Sequence, residues 1–377
     1  MDFDLTDEQR LLKDSVDRLI TERYDFESRN KYRAEPEGWS RALWEQYAEL
    51  GLLGLPFPES YGGFGGGPVE TMIVMEAFGR GLAVEPYFAT VVLGGGLIHQ
   101  AGSEEQKSAL LPQIASGEAL LAFAHVERQS RYDLANVTTR AHRADGGWRI
   151  NGEKSIVLHG DVADQLIVSA RTSGSPSDRA GIGLFLVDAK DVTRRGYPLQ
   201  DGLRAAEVKL DDARAEPLSN PEGALSVAEQ VVDAAIGALC AEAVGVMQSM
   251  HELTLDYLKT RRQFGRPIGD FQALQHRAVD MYVALEQARS MALFATMMAA
   301  EEDPAERRRA ITAAKAQIGR SGRHIGQEAI QLHGGIGMTM EYKVGHAFKR
   351  MTMIDIMFGD AGAHTEELAR LGGLFGT

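Results

Sequence analysis

The sequence predicts an α+β protein that is mainly α-helical, with a central antiparallel β domain between two helical regions. Apolar residues recur at helical spacing through the N-terminal third, and again in long runs from about residue 224. Between these regions, short alternating stretches are separated by turn dipeptides, which is typical of paired strands. We therefore predict three domains, at 1–118, 119–223 and 224–377.

The first domain is predicted to be helical from its start signals. Thr6–Gln9 and Ser103–Gln106 are capping boxes, in which a hydroxyl and a glutamine three residues later satisfy free backbone N–H groups. Further helices are predicted from residue 40, at 68–83 and at 88–101.

The middle domain is predicted to be a small antiparallel sheet. Asp145-Gly146-Gly147 and Asn151-Gly152 interrupt an alternating segment, and such dipeptides favour tight hairpins. Further runs rich in strand-forming residues lie at 165–170, 181–187 and 207–210.

The last domain is predicted to be a four-helix bundle. Its helical patterns lie at about 224–260, 270–301, 305–333 and 341–373, and the loops between them are short. Long helices joined by short loops pack antiparallel to their neighbours.

Composition excludes several kinds of protein. The 377 residues carry a formal net charge of -13, which disfavours nucleic acid because a phosphate-binding face needs clustered cations. The single cysteine, Cys240, excludes an intramolecular disulfide and a zinc site with several thiolates, and we predict no metal site. The N-terminus lacks the pattern of a signal peptide, and no uncharged apolar run reaches the length of a membrane span. We expect a cytoplasmic protein that binds neither membranes nor nucleic acid.

Two segments of the last domain carry residues suited to a cofactor with phosphates and a flat ring. They are Arg261–Gln272 (RRQFGRPIGDFQ) and Gln331–Gly337 (QLHGGIG). A guanidinium donates a fork of hydrogen bonds to phosphate oxygens, and an aromatic side chain packs against a flat ligand. Glycines let the backbone approach closely. Each segment alone is also explained by structure, as a glycine helix stop or as a turn.

Together the two segments resemble the R-x-x-F-G-x-x-I-x-x-x-Q and Q-x-x-G-G-x-G motifs of the acyl-CoA dehydrogenase family. The domain order is also similar to that family's, so the resemblance covers the whole chain. It implies FAD as cofactor, with both motifs reaching the FAD of a neighbouring subunit. By resemblance, the FAD contacts are Arg261, Phe264, Gln272, Gln331, Gly334 and Gly335.

The catalytic carboxylate of that family is missing here. The family pattern aromatic-Glu-Gly-Thr corresponds to Phe358-Gly359-Asp360-Ala361, so Gly359 replaces the base. The family's alternative base position lies 26 residues before Arg261, where this chain has Ala235. Asp360 is a weak candidate for a relocated base, although a carboxylate there also suits a helix N-terminus.

The two motifs that line a chain's own flavin in the family are also altered. Val126 stands where the resemblance places a threonine, and a methyl group cannot hydrogen-bond the flavin edge as a hydroxyl does. In the second motif, Ile156 replaces a tryptophan and Leu158 replaces a threonine. Compared with the family motifs, the residues that would contact a neighbouring subunit's FAD are thus present, whereas those that would line the chain's own flavin are absent.

This pattern favours a half-site subunit of a heteromeric acyl-CoA dehydrogenase, completed by a homologous larger subunit in a heterotetramer. The chain is most similar to the small subunit of pimeloyl-CoA dehydrogenase, which implies a dicarboxylyl or other long acyl-CoA substrate. Related two-chain enzymes act on steroid side-chain thioesters. The resemblance also implies an electron-transfer flavoprotein as electron acceptor. Two alternatives stay open: a self-associating dehydrogenase with Asp360 as base, and a scaffold that binds no flavin.

Overall fold

The structure, a computed structural model, describes residues 4–144, 146–218 and 222–373. It confirms the mainly helical α+β class with a central sheet. The N-terminal helices are α1 (Asp7–Arg23), α2 (Phe26–Ala34), α3 (Arg41–Glu49), α4 (Pro68–Gly81), α5 (Gly96–Ala101) and α6 (Glu104–Ala115). A π-helical segment, Phe88–Gly95, runs directly into α5.

Both predicted capping boxes are formed. Thr6 Oγ1 accepts a hydrogen bond from the Gln9 backbone N–H at 3.2 Å, and the Gln9 side chain accepts from Thr6 N at 3.0 Å. Ser103 and Gln106 repeat the arrangement at the start of α6. Helix α2 was not predicted because it is short and mostly polar, and its one buried residue is Arg29. The Arg29 guanidinium anchors it by donating to the Leu82 carbonyl at 2.8 Å.

The middle of the chain forms a seven-stranded sheet. Its strands are β1 (Leu121–Ala124), β2 (Arg140–Ala144), β3 (Gly147–Leu158), β4 (Gln165–Arg171), β5 (Ile182–Asp188), β6 (Thr193–Pro198) and β7 (Arg204–Pro217). Most pairings are antiparallel, whereas β4 runs parallel to β1 and β2. Because β4 also pairs with β5, the sheet closes on itself around buried alanines and β-branched residues.

The predicted turn at Asn151-Gly152 is wrong. Strand β3 continues through these residues with a bulge in its pairing to β7. Gly152 has a φ of 154°, and a Cβ there would lie 2.5 Å from the Thr139 hydroxyl. Glycine is therefore required by a close approach within the sheet. The other predicted turn lies between β2 and β3, although its Asp145 is outside the described residues.

Five helices form the C-terminal region: α7 (Leu225–Thr260), α8 (Gln272–Met298), α9 (Pro304–His333), α10 (Lys343–Ile356) and α11 (Ala361–Arg370). The predicted single helix at 341–373 is wrong. Phe358 and Gly359 have φ angles of 56° and 117°, which end one helix, and the Asp360 side chain caps the next. This break between α10 and α11 lies in the segment that corresponds to the family's catalytic carboxylate.

The chain divides into two compact units. One comprises the described residues up to 31, 68–83 and those from 236 onward, and the other comprises 32–67 and 84–235. In the first unit α4 and α7 touch backbone to backbone, since a Cβ on Gly79 would overlap the Glu242 carbonyl oxygen. The boundaries at 118 and 223 stay a prediction.

Helix α7 is long and apolar enough to cross a membrane by length and composition, contrary to the expectation from sequence. However, 89% of its most apolar 18-residue window is buried inside the protein. That burial is the pattern of a core helix.

Candidate active site

The Arg-Phe-Gly motif forms the tip of a small hairpin between α7 and α8. Strands β8 (Arg262–Gln263) and β9 (Arg266–Pro267) pair antiparallel, which leaves Phe264 and Gly265 as a two-residue turn. Their φ angles are 52° and 80°, as a type I′ turn requires. A phenylalanine at positive φ is uncommon. Its side chain is 91% exposed, so packing within the described chain does not explain the motif.

The structure brings the two predicted FAD-binding motifs to the same end of the helical unit. Tyr257, near the end of α7, stacks on His333, the last residue of α9, with ring centroids 4.6 Å apart. Arg277 near the start of α8 forms an ion pair with Glu328 of α9. These contacts place the hairpin and the start of α8 beside the glycine-rich segment.

Three polar side chains of the two motifs form no hydrogen bond or ion pair within the part of the chain that the structure describes. They are Arg261, Gln272 and Gln331, and all three are exposed. Gly334 needs its glycine for a φ of 64°, whereas Gly335 has no such strain and a Cβ there would meet nothing within 4 Å. Nothing among the described residues requires glycine at 335. The surface thus has donors, an aromatic ring and open backbone, which fit a phosphate-bearing, flat cofactor presented from outside.

The position of the missing base is closed by a buried histidine. A Cβ on Gly359 would lie 2.7 Å from His364 Nε2. The His364 ring is 1% exposed and its Nε2 lies 3.1 Å from the Phe358 carbonyl oxygen. Burial, with the nearby charges of Lys315 and Arg308, lowers the pKa of His364 to about 3, so the ring is neutral at physiological pH. An imidazole this weakly basic is a poor replacement for a catalytic carboxylate.

A buried lysine holds the same segment in place. Lys315 of α9 donates to the carbonyl oxygens of Asp355 and Gly359 at 2.7 and 2.8 Å. It satisfies the free carbonyl at the end of α10 and fixes the backbone at Gly359. Sequence reasoning missed it, although a single lysine in the apolar run Ile311–Ile318 was a signal.

The other candidate bases are engaged elsewhere or absent. Asp360 Oδ1 accepts from the Ala363 backbone N–H at 2.9 Å, as the N-cap of α11. Glu242, a carboxylate on α7 about two helical turns after Ala235, is also engaged: it forms a two-point ion pair with Arg350 at 2.6 and 2.7 Å, and both side chains are buried. Ala235 is fully buried within α7. Within the described residues, no cluster of three or more His, Cys, Asp or Glu side chains is placed to hold a metal ion.

Two charged residues of the sheet unit form a buried ion pair. Lys154 Nζ lies 2.7 Å from Glu127 Oε1 and donates to Ser169 Oγ at 3.1 Å. Backbone N–H groups of Thr138 and Thr139 also donate to the Glu127 carboxylate. Burial raises the pKa of Glu127, but the Lys154 ammonium and these donors outweigh it and lower the pKa to about 2. The contacts of Glu127 and Lys154 lie within the sheet unit itself, and this pair was not predicted.

The altered flavin motifs offer neither hydroxyl nor ring at the expected positions. Ile156 is 47% exposed with a φ of 51°, and His159 has a φ of 49°. A β-branched residue at positive φ is strained, and such strain concentrates at functional segments. The segment around Ile156 and His159 is thus strained in the backbone, and Val126, Ile156 and Leu158 carry aliphatic side chains at the three positions that differ from the family pattern.

Comparison with known proteins identifies the family. Models of the acyl-CoA dehydrogenase N-terminal, middle and C-terminal domains match residues 6–118, 122–213 and 225–372. The probable acyl-CoA dehydrogenase YngJ of Bacillus subtilis is 30% identical over 381 residues, with 98% of each chain covered. The structure of the ChsE4-ChsE5 complex from Mycobacterium tuberculosis is 26% identical, with a TM-score of 0.87 and 98% of each chain covered. That of PigA with FAD and proline is 27% identical, with a TM-score of 0.88 and full coverage of both chains. This chain therefore belongs to the acyl-CoA dehydrogenase family of FAD-dependent oxidoreductases.

Proposed function

We propose that this chain is a half-site subunit of a heteromeric acyl-CoA dehydrogenase. One contrast carries the proposal: His364 closes the base position, whereas the Arg261 and Gln331 side chains are exposed and form no hydrogen bond or ion pair with other described residues. A homomeric enzyme needs both halves of the site from one sequence. A heteromeric enzyme needs only one half from each chain.

The reaction is the removal of an α proton and a β hydride from an acyl-CoA thioester, and FAD, when bound, takes the hydride. In this proposal a homologous partner supplies the base and holds the reactive ring. The Arg261 guanidinium then donates to phosphate oxygens and the Phe264 ring packs against the adenine. Gly335 leaves room for the cofactor to approach the backbone. The loss of a general base alone costs about 10²–10⁴-fold in rate, so this chain does not carry the chemistry by itself.

Further support comes from exposed apolar side chains near the two motifs. Phe264, Met338 and Met340 are 91%, 75% and 55% exposed. Large exposed apolar residues grouped at one end of a protein mark an interaction surface. The ChsE4-ChsE5 structure, a complex of two named chains, supports a two-chain arrangement for this fold.

We also propose a long or dicarboxylyl acyl-CoA as substrate, an electron-transfer flavoprotein as acceptor and a cytoplasmic location. These rest on the resemblance of the sequence, and a panel of acyl-CoA thioesters offered to the assembled enzyme tests the substrate.

Counting flavin per chain tests the half-site. We expect no FAD in the chain purified alone, and about one FAD per pair when a homologous dehydrogenase subunit is co-expressed. Absorbance in the flavin band against protein concentration gives the ratio. About one FAD per chain alone, with turnover, would favour the self-sufficient alternative, and no flavin in either preparation would favour a scaffold.

Asp360→Asn tests the relocated base separately. As the N-cap of α11, Asp360 contributes about 0.5–2 kcal/mol to stability, and asparagine caps almost as well. We therefore expect the variant to keep the activity of the assembled enzyme. A loss of activity by orders of magnitude would assign the base to Asp360.

Removing the exposed motif side chains should release FAD without unfolding the chain. In the assembled enzyme, Phe264→Ala and Arg261→Gln are each expected to weaken FAD retention about tenfold, since each loses roughly 1–3 kcal/mol of stacking or charged hydrogen bonding. The matched controls Leu11→Ala and Arg10→Gln change exposed residues of α1. Release is measured by flavin fluorescence on dilution, and equal release from motif and control variants would contradict the assignment.

A further inference from the structure

Two arginines lie directly opposite each other on the outer face of the sheet. In the antiparallel register of β3 and β7, Arg149 pairs with Arg214, whereas the next pair, Ile150 and Ala213, is buried in the core. Directly opposite residues of an antiparallel pair share a face, and their Cβ atoms are only about 4.5–5.5 Å apart. This register therefore places two like charges on adjacent strands, which destabilises a sheet.

Strand β2 extends the same cationic surface. His142 lies opposite Arg149 in the register of β2 and β3, and Arg140 shares its face because it lies two residues earlier on the strand. We call the surface formed by Arg140, His142, Arg149 and Arg214 the arginine patch. It crosses β2, β3 and β7, which are neighbours in the sheet and span about 10 Å. It lies near the first residues of β3, whereas Ile156 and the altered flavin motif lie near the last ones.

The described chain does little to neutralise the arginine patch. Arg149 Nη1 donates to the Asp212 carbonyl oxygen at 3.0 Å and lies 3.7 Å from its carboxylate, which is 63% exposed. Within the described ranges, the four patch residues form no other ion pair. Farther along the same two strands, Glu153 lies opposite Lys209, and both are exposed. The strands thus place opposite charges together elsewhere, so contacts within the described chain do not explain the paired arginines.

We propose that the arginine patch is a docking surface for an acidic segment of another protein. Guanidinium forks match carboxylates in two-point geometry, and carboxylates between Arg149 and Arg214 relieve the repulsion of their charges. The patch stands on an open sheet face, whereas sites for small molecules are concave. A formal net charge of -13 repels long polyanions and anionic membranes, but a short acidic segment meets only the local positive charge. None of the patch residues belongs to the FAD motifs, so this surface does not depend on the half-site.

Fluorescence anisotropy with a labelled hexaglutamate peptide tests the proposal on the full-length chain. We expect saturable binding at low ionic strength that weakens as salt increases. Combining Arg149→Gln with Arg214→Gln should weaken binding about tenfold, because two charged contacts are lost. The matched control combines Arg10→Gln with Arg179→Gln, which removes two charges from exposed positions outside the patch. Absence of saturable binding, or equal weakening by the two double variants, would overturn the proposal.

A single-stranded DNA oligonucleotide of the same charge distinguishes a protein segment from a nucleic acid. Binding of single strands relies on exposed aromatic rings that stack with bases. The aromatic ring of β3 that is nearest in sequence, Trp148, packs against Phe185 on the core side of the sheet. We therefore expect the oligonucleotide to bind more weakly than the peptide. Equal or tighter binding that depends on the same two arginines would assign the patch to nucleic acid.

The thermal stability of Arg214→Gln separates a binding role from a structural one. Removing one of two opposed like charges is expected to raise the melting temperature while peptide binding weakens. Lys209→Gln, on the same strand, removes the charge opposite Glu153 and should not raise the melting temperature. A lower melting temperature for Arg214→Gln would show that this arginine stabilises the sheet, which contradicts a role in docking.

Discussion

Restoring the carboxylate by Gly359→Glu is expected to destabilise the chain by about 2–6 kcal/mol and to give no dehydrogenase activity in the isolated protein. The φ of 117° at this position disfavours any residue with a Cβ, which costs about 1–3 kcal/mol. The new side chain would also overlap the His364 ring, and overpacking costs about 1–3 kcal/mol more. Both costs lower the stability of the folded chain, whether or not a substrate binds.

Urea unfolding and thioester-dependent dye reduction measure the two parts of this prediction. Gly335→Ala is the matched control, because a Cβ there meets nothing and the backbone is unstrained. Adding His364→Ala to Gly359→Glu should recover the overpacking cost and leave the backbone cost. An active Gly359→Glu chain with unchanged stability would show that the base position is open.

Lys154→Met is expected to lower the free energy of unfolding by about 3–5 kcal/mol. Methionine keeps the shape of the side chain but leaves the Glu127 charge buried without its cation, which is the costly way to break a buried pair. Urea unfolding measures the loss. Lys190→Met, at a lysine that is 90% exposed, should stay within about 0.5 kcal/mol of the parent. If both variants behave alike, the pair does not stabilise the sheet unit.

The pH dependence of stability gives an independent check on the same pair. The pKa of Glu127 is about 2 in the folded chain and 4.5 for a free glutamate. A lowered folded pKa stabilises the protein above pH 4.5, and this contribution is lost as the pH decreases from about 4.5 towards 2. Glu127→Gln should remove that component of the slope. An unchanged slope in the variant would assign the acid sensitivity to other carboxylates.

The fold was predictable where local signals and tertiary structure agree. The capping boxes at Thr6 and Ser103 mark helix starts with chemistry that is complete within four residues, and the structure places helices there. Prediction from sequence failed where contacts between distant segments determine the local structure. The bulge at Gly152 follows from its approach to Thr139, a residue on a different segment. Likewise α2 depends on the distant partner of a buried arginine.

The candidate site was predictable in part for the same reason. Motif spacing predicted FAD contacts at 261–272 and 331–335, and the structure brings these two segments to one end of the helical unit. Their role in FAD binding stays a prediction, as does the loss of the base at Gly359. The sequence could not predict which side chains lie at the position of the missing carboxylate. His364 reaches it from α11, and Lys315 contacts the same segment from α9, which is distant in sequence. The hairpin at Phe264 was not predicted from the sequence, because a phenylalanine occupies the turn position where asparagine is usual.

The exposed phenylalanine at the hairpin tip has a consequence for the solubility of the chain in the cell. Phe264 and Met338 present to water the kind of surface that promotes aggregation when no other protein covers it. In the proposed two-chain arrangement, a copy made in excess of its partner is therefore expected to aggregate. The supply of the partner would then limit how much of this chain stays in solution.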